Sequence, residues 1–481
     1  METLNASLAI DRGLTTSQAA QRPITIVQFG EGNFLRAFVD WIVQQLNNEG
    51  LFNGNVAIVQ PLEMGRVKEL EAQDRLYTVI LEGLKDGHEV QRREIIDSIG
   101  ATVDVYRDWE GYLALADNPD LKIVISNTTE AGIAVSDEDT PEACPPKSYP
   151  AKLAQLLKRR YDNGLPGLLI IPCELIADNG PALRRCLVDT ARRFGWSEDF
   201  IAWIERENTF VSTLVDRIVP GYPRDNAEDL WNELGYVDNN MVKAEPFALW
   251  VIAGDEAAQT KVNELLPARK LGIDLVTTDQ VQPYRERKVF LLNGPHTTMA
   301  QIARLAGLGT VGEVMGDDMM RSFIEREMHE EIIPVLSLPQ DELDAFAHAV
   351  VERFRNPFVK HALDSIALNS VAKFTARLLP IVHRNVEQGR GVPRRIALAL
   401  AALIASYASL APTEVSVVDM DDAKARLAGV TADEASVTAA LADASLWGED
   451  LTAIEGLADE VVADVRSIAA GGIRSLVEQL S

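Results

Sequence analysis

The sequence predicts an α/β N-terminal domain with a parallel sheet, followed by a mostly α-helical C-terminal domain. Three observations predict it. Short, nearly continuous apolar runs recur through the first half, as in strands hidden on both faces of a parallel sheet, with helix-forming segments between them. Beyond about residue 275 those runs stop, and long segments rich in Ala, Leu, Glu and Arg take over. The chain has 481 residues, too many for one compact core, and 47% of them are hydrophobic, enough to fill two. The boundary is expected at 278/279, giving domains 1–278 and 279–481.

The elements follow in order. After Pro23, "ITIVQF" is a β-branched run that reads as a buried strand, and "NFLRAFVDWIVQQLNNEG" carries apolar residues at helical spacing up to Gly50. Further strands are expected at "VAIVQPLE" from Val56, "LKIVISNTTEAG" from Leu121 and "GLLIIPCEL" from Gly167. Helices such as "SYPAKLAQLLKRRYDNG" lie between them. The run "IALALAALIASYASLA" from Ile396 falls short of the roughly 18–20 apolar residues that cross a bilayer, and it reads as a buried helix.

Composition narrows the partners. Acidic residues outnumber basic ones by 72 to 46, a formal charge of -26 that repels phosphate backbones and anionic lipid, so neither nucleic acid nor membrane is expected. Cys144, Cys173 and Cys186 are odd in number and lack Cys-x-x-Cys spacing, which suggests neither a disulfide framework nor a zinc site. With no basic, apolar leader at the N-terminus, a reducing cytoplasm is the expected compartment and no metal is expected.

Two constellations carry chemistry. In "FGEGNFLR", Gly30 and Gly32 stand between a strand and a helix, where backbone N–H groups and the absence of side chains suit a pyrophosphate. Asn33, Phe34, Leu35 and Arg36 open the helix behind them, and Leu35 replaces the third glycine of the usual fingerprint, which loosens helix–strand packing without blocking a phosphate. A tight turn without a ligand has the same spelling. Glu63, after the second strand, lies where an acid takes ribose hydroxyls and favours NAD over NADP, or else is a solvated loop carboxylate.

The second constellation is "YRERKVFLLNGPHTTMAQ", with Lys288, Asn293 and His296. On an α-helix the three fall within an arc of roughly 140°, and Gly294-Pro295 would bend the helix and tilt His296. Hydride transfer from a secondary alcohol needs a base for the hydroxyl proton and a donor for the alkoxide; without a metal, a lysine can be that base. Lys288 is the candidate base, Asn293 the oxyanion donor and His296 the orienting group. Tyr284-x3-Lys288 also fits the spacing of short-chain dehydrogenases, but that family's glycine signature is absent and its pair belongs in the first domain.

"QFGEGNFLRAF", "SNTTEAG", "PCEL", "STLVDRIVPGYPRD", "KVFLLNGPHT" and "RFRNPFVKH" occur in the order seen in the polyol-specific long-chain dehydrogenases. From about residue 20 onward the chain resembles this mannitol dehydrogenase family, in detail its uronate branch. The resemblance implies a Rossmann-like N-terminal domain, a helical C-terminal domain, NAD as cofactor, and Lys288 as acid/base beside Asn293 and His296. It places Asn127, Thr128, Thr129 and Glu130 along the nicotinamide end of the cofactor. It also implies a monomer that reduces a hexuronate ketone in a route breaking down galacturonate. Mannitol-acting members hold the oxyanion with a second asparagine in a Cys-Asp-Asn segment. Here that segment is Cys173-Glu174-Leu175, and Leu175 cannot donate. Three positions before the lysine, where those members have an acid, stands Arg285.

A sugar acid approaching so acidic a protein needs local cations. Arg217, Arg285, Lys360, His361 and Lys373 are the expected substrate ligands, with Lys360 and His361 foremost because the family's segment after Asn356-Pro357 lines its substrate cleft. Solvated helix faces account equally well for such residues. A fructuronate reductase or a mannitol dehydrogenase of the same family and a catalytically silent NAD sensor are the competing readings, the sensor disfavoured by the intact Lys288, Asn293 and His296.

Overall fold

The computed structural model describes residues 1–129 and 131–481, so Glu130 lies outside the described residues. The chain forms two compact units, one of Met1–Glu82 with Glu89–Val281, the other of Gly83–His88 with Gln282–Ser481.

The first unit is built on a six-stranded sheet whose strands, numbered along the chain, are β1 (Ile24–Phe29), β2 (Asn55–Gln60), β3 (Ile99–Asp104), β4 (Ile123–Ser126), β5 (Leu169–Pro172) and β6 (Thr209–Phe210). Their spatial order is β3-β2-β1-β4-β5-β6 and every pairing is parallel. This order reverses between β1 and β4, and ligands of open α/β sheets bind outside the C-terminal ends of the strands at such a reversal. Apolar side chains from both sheet faces enter two cores, one holding Ile26, Ile58 and Ile125, the other Val27, Val59 and Val124. Burial on both faces is why these strands read as continuous apolar runs rather than alternating ones. Two three-stranded sheets, with no counterpart in the sequence reading, complete the unit. One pairs Tyr77–Lys85 with His88–Ile96 and Val242–Ala244, and the other joins Ser212–Asp216, Leu249–Ala253 and Asp274–Thr278.

The helix expected to run from Asn33 to Gly50 is two helices, Asn33–Arg36 and Val39–Asn48, broken at Ala37 and Phe38. The break frees carbonyls that a continuous helix would pair, and buried side chains take them. Tyr77 donates to the Arg36 carbonyl at 3.0 Å and Arg217 Nη1 to the Ala37 carbonyl at 2.6 Å.

The second unit is helical. Its centre is the helix Arg394–Tyr407, the run read as buried rather than membrane-spanning, and every residue from 395 to 407 is withdrawn from solvent. Among the described residues no helix is long and apolar enough to cross a membrane. The central helix packs against Gly294–Leu305 and Leu457–Ala469. Its N-terminus is capped by Glu331, which accepts from the Arg395 and Ile396 amides at 2.9 and 3.2 Å and from Arg395 Nη1 at 3.0 Å. A carboxylate there meets the free amides and the positive end of the helix dipole together.

Nearby, Glu327 is fully buried, accepts from Thr298 Oγ1 at 2.5 Å, and among the described residues its Oε2 has no partner. Burial, reinforced by the Glu331 charge and opposed by Thr298 and Arg395, pushes its carboxyl up to about 8. Since the folded-state value lies above the ordinary 4.5, the stability gained from the protonated acid is complete below that value and is lost as pH rises through about 8. We expect the melting temperature to fall across this window, and Glu327→Gln to flatten the fall and melt higher than wild type at pH 8. A wild-type slope unchanged in Glu327→Gln would contradict this.

Candidate active site

The glycine loop is set by backbone geometry. Gly30 has φ +115°, a conformation that L side chains rarely adopt, and its amide donates to the Val59 carbonyl at 3.0 Å. A Cβ there would also meet the Asn127 carbonyl oxygen at 3.2 Å. Gly32 differs: it caps the short helix with an ordinary φ of -65°, and a Cβ on it would project into open space. Leu35, expected to loosen the packing, does the reverse, since it is 2% exposed inside the core with Ile26 and Phe38. Phe34 stacks on Phe38 at 5.0 Å.

Buried polar side chains brace this loop. Arg36 is 1% exposed and spends its donors on the Glu31 carbonyl at 3.1 Å, Asn33 Oδ1 at 2.7 Å and the Asn240 carbonyl at 2.5 Å. The Glu31 side chain accepts from the Arg66 amide at 3.3 Å, tying the glycine loop to the loop after β2. Glu63 lies in that second loop, exposed, between the exposed Leu62 and Met64. Arg217, expected on a substrate, is buried in the first unit. Its guanidinium reaches the carbonyls of Ala37 and Glu245 and lies 4.3 Å from the Trp41 ring centroid, and burial lowers it to about 10.

Asn127, Thr128 and Thr129 follow β4, and the Asn127 amide donates to the Phe29 carbonyl at 3.1 Å. Glu174, which the sequence marked only as a departure from the mannitol pattern, holds this loop. It is 1% exposed and accepts from Ser126 Oγ, the Thr128 amide and Thr128 Oγ1, each at 3.0 Å. Burial raises its carboxyl while these hydrogen bonds draw it back down. Leu175, next in the chain, is 62% exposed.

In the second unit Lys288 ends the helix Gln282–Lys288, which also carries Arg285, and Asn293 ends the π-helical turn Val289–Asn293. The helix Gly294–Leu305 then continues with His296 in its first turn. The expected bend at Gly294-Pro295 is thus absorbed as a wide turn. Proline cannot donate to the carbonyl four residues back and its ring crowds that carbonyl, so widening the preceding turn relieves both. A π turn closes hydrogen bonds between residues five apart, the separation of Lys288 and Asn293, so the pair lies closer in angle than α-helical spacing allows.

His296 is 8% exposed, its ring 4.3 Å from that of Phe354 and 5.0 Å from that of His361, and among the described residues its Nε2 has no hydrogen-bond partner. Burial, then the positive surroundings of His361, Arg353 and Arg377, holds its pKa well below the usual histidine range, so the ring is neutral at pH 7. His361 is partly buried beside it, on a segment pinned by the Val311 amide donating to the His361 carbonyl at 3.0 Å. Lys360 is exposed, and Lys373 donates to the Ile366 carbonyl at 2.8 Å. Arg377, not singled out from the sequence, donates to Thr297 Oγ1 at 3.2 Å, and Thr297 donates in turn to the Asn293 carbonyl at 2.8 Å. Among the described residues no cluster of three His, Cys, Asp or Glu side chains is arranged to hold a metal.

Comparison with known proteins identifies the family. The profile of the mannitol dehydrogenase Rossmann domain matches residues 24–264, and that of the mannitol dehydrogenase C-terminal domain matches residues 280–469. The chain belongs to the mannitol dehydrogenase family. Within this family, altronate oxidoreductases of Escherichia coli O7:K1 and of Shigella flexneri are each 43% identical over 479 residues, spanning 96% of this chain and 98% of theirs. Among solved structures, a D-sorbitol dehydrogenase in substrate-free form aligns with a TM-score of 0.81 at 21% identity, covering 99% of this chain and 100% of that one. A Pseudomonas fluorescens mannitol 2-dehydrogenase in ternary complex with NAD and D-mannitol aligns at 0.67 and 23% identity, covering 99% of each chain. These distant likenesses establish the shared fold of the family.

The two glycines yield a paired prediction. Gly30→Ala strains the backbone and is expected to cost roughly 1–3 kcal/mol of stability. Gly32→Ala is expected to melt like wild type, because its Cβ meets nothing in the protein. Thermal unfolding of both variants decides; a Gly32→Ala chain as unstable as Gly30→Ala would contradict the assignment.

Proposed function

We propose that the protein catalyses NAD-dependent interconversion of tagaturonate and altronate, with Lys288 as acid/base. The observation that carries the reading is the 43% identity to altronate oxidoreductases across 96% of the chain. The Lys288, Asn293 and His296 segment supports it with groups suited to a ketone oxygen.

The first unit fits a dinucleotide. Its sheet reverses order beside the glycine loop, and the Gly32 amide stands at a helix start where a Cβ would enter open space. Gly30, Gly32 and Asn33 would hold the pyrophosphate, Glu63 the ribose hydroxyls, and the Asn127–Thr129 segment the nicotinamide end. Arg36 and Glu174 serve by fixing those loops. A nicotinamide cofactor held there would supply hydride chemistry at a carbonyl carbon, and would accept the hydride in the reverse direction.

The remaining work falls to the second unit. During reduction the ketone oxygen gains negative charge and then a proton. The Lys288 ammonium donates that proton, and in oxidation the neutral amine takes it from the hydroxyl. The Asn293 amide donates a hydrogen bond to the same oxygen, stabilising the alkoxide character that develops there. His296, neutral and with Nε2 uncommitted, orients a substrate hydroxyl without adding a second charge beside Lys288.

Oxidation of NADH with tagaturonate, fructuronate and fructose in parallel tests the substrate. Tagaturonate is expected to give the highest kcat/KM, and preference for fructuronate or fructose would reassign the enzyme within its family. In Lys288→Ala, NADH affinity is expected to stay within a few-fold while turnover drops by about 10²–10⁴. Near wild-type turnover in that variant would refute the role given to the amine.

A further inference from the structure

Several arginines packed into the second unit are matched to acids. Arg395 pairs with Glu330 and Glu331, Arg304 with Asp364, Arg384 with Glu286, and Arg394 with Glu460 and Asp464. Arg377 is partly buried, and among the described residues it has no carboxylate partner; its Nη1 donates to Thr297 Oγ1. A guanidinium has five N–H donors, so the described residues leave most of its capacity uncommitted.

Its neighbours deepen the imbalance. Lys373 lies four residues earlier on the same helix, Ser370–Arg377, and the Arg377 charge helps lower the lysine's pKa as well as that of His296. Cations gathered away from water repel one another, and an anion bound among them removes that cost. In a chain of net charge -26, leaving one such arginine unpaired beside other cations points to a ligand that brings the negative charge.

The position is specific. Thr297 links Arg377 to the Asn293 carbonyl, so the guanidinium stands two hydrogen bonds from the segment bearing Lys288 and Asn293. The orphaned Nε2 of His296, more than nine-tenths buried, is on the residue preceding Thr297. Of the cations expected on the substrate, Lys360 is exposed and Lys373 already serves the Ile366 carbonyl, whereas Arg377 offers the planar fork that a carboxylate accepts in bidentate fashion.

We propose that Arg377 receives the substrate's carboxylate and thereby selects a sugar acid over a neutral ketose. This rests on the hexuronate reading of the function given above.

The test compares wild type, Arg377→Gln and Arg377→Lys for kcat/KM with tagaturonate and fructose, for inhibition by altronate and by neutral altritol, for NADH affinity, and for melting temperature. With Gln, kcat/KM for tagaturonate is expected to fall roughly 100-fold, mostly through KM, as for loss of a hydrogen bond to a charged group. Turnover of fructose and inhibition by altritol should change less than about threefold, since neither presents a charge to the missing guanidinium. Lys should recover part of the loss. Gln can still donate to Thr297, so a purely structural role would leave Gln at least as active as Lys. That result, or equal losses for charged and neutral ligands, would overturn the proposal. If Arg377→Gln does not fold, the wild-type and Lys chains still decide, because a Lys variant with unchanged KM for tagaturonate and unchanged altronate inhibition overturns it too. A wild type that reduces fructose but no hexuronate would instead remove the functional reading itself, a failure visible before any variant is made.

Discussion

The chemistry assigned to the helical unit depends on one backbone constraint, the inability of Pro295 to donate a hydrogen bond from within a helix. A straight α-helix through this proline would lose a bond and press the ring onto a carbonyl. The chain widens the preceding turn instead, over Val289–Asn293, and keeps its direction into the buried helix beyond. That accommodation brings Lys288 and Asn293 closer in angle, with His296 in the first turn of the following helix, packed on Phe354. Polar groups are thereby presented from one stiff element rather than from loops, which favours fixed geometry over adaptability.

The sheet unit handles its buried charges by a different rule. Arg36, Arg217 and Glu174 are nearly sealed from water, and their hydrogen bonds run largely to the main chain of loops at strand and helix ends. Each satisfies backbone groups that irregular structure would otherwise leave bare. Asp40 belongs to the same system, accepting from Tyr77 and Gln28, with burial raising it to about 7. Loops that must stay free of bulky side chains on their outer surface are thus held from beneath by charged groups. Replacing such groups by apolar ones would cost the loop its shape before it cost the core its volume.

Much of this was legible in the sequence, and the exceptions have physical causes. Strands β1, β2, β4 and β5 announced themselves because burial on both faces demands continuous apolar residues. Strand β3 did not, because "IGATVD" includes Gly100 and is only partly buried; the glycine is there because a Cβ would meet Ile24 Cδ1 at 2.6 Å. The change of texture near residue 275 was visible because Asp274–Thr278 is the last strand. The break at Ala37 was not, since its stabilising partners Tyr77 and Arg217 are far away in the chain. Of the candidate site, Lys288, Asn293 and His296 stood out by residue type and spacing. The bracing role of Glu174 and the unmatched charge of Arg377 could not, because each is a property of what surrounds the side chain in space.

The turn between the strands Tyr77–Lys85 and His88–Ile96 groups with the helical unit, where the Asp86 and Gly87 amides donate to the Glu352 carboxylate at 3.2 and 2.5 Å. The helical body is therefore not a contiguous stretch of polypeptide. A fragment starting at Gln282 would deprive Glu352 of both amides, and permutation or insertion at the turn would disturb a module encoded some two hundred residues downstream. Dissection of this chain has to respect a seam crossed more than once by the backbone.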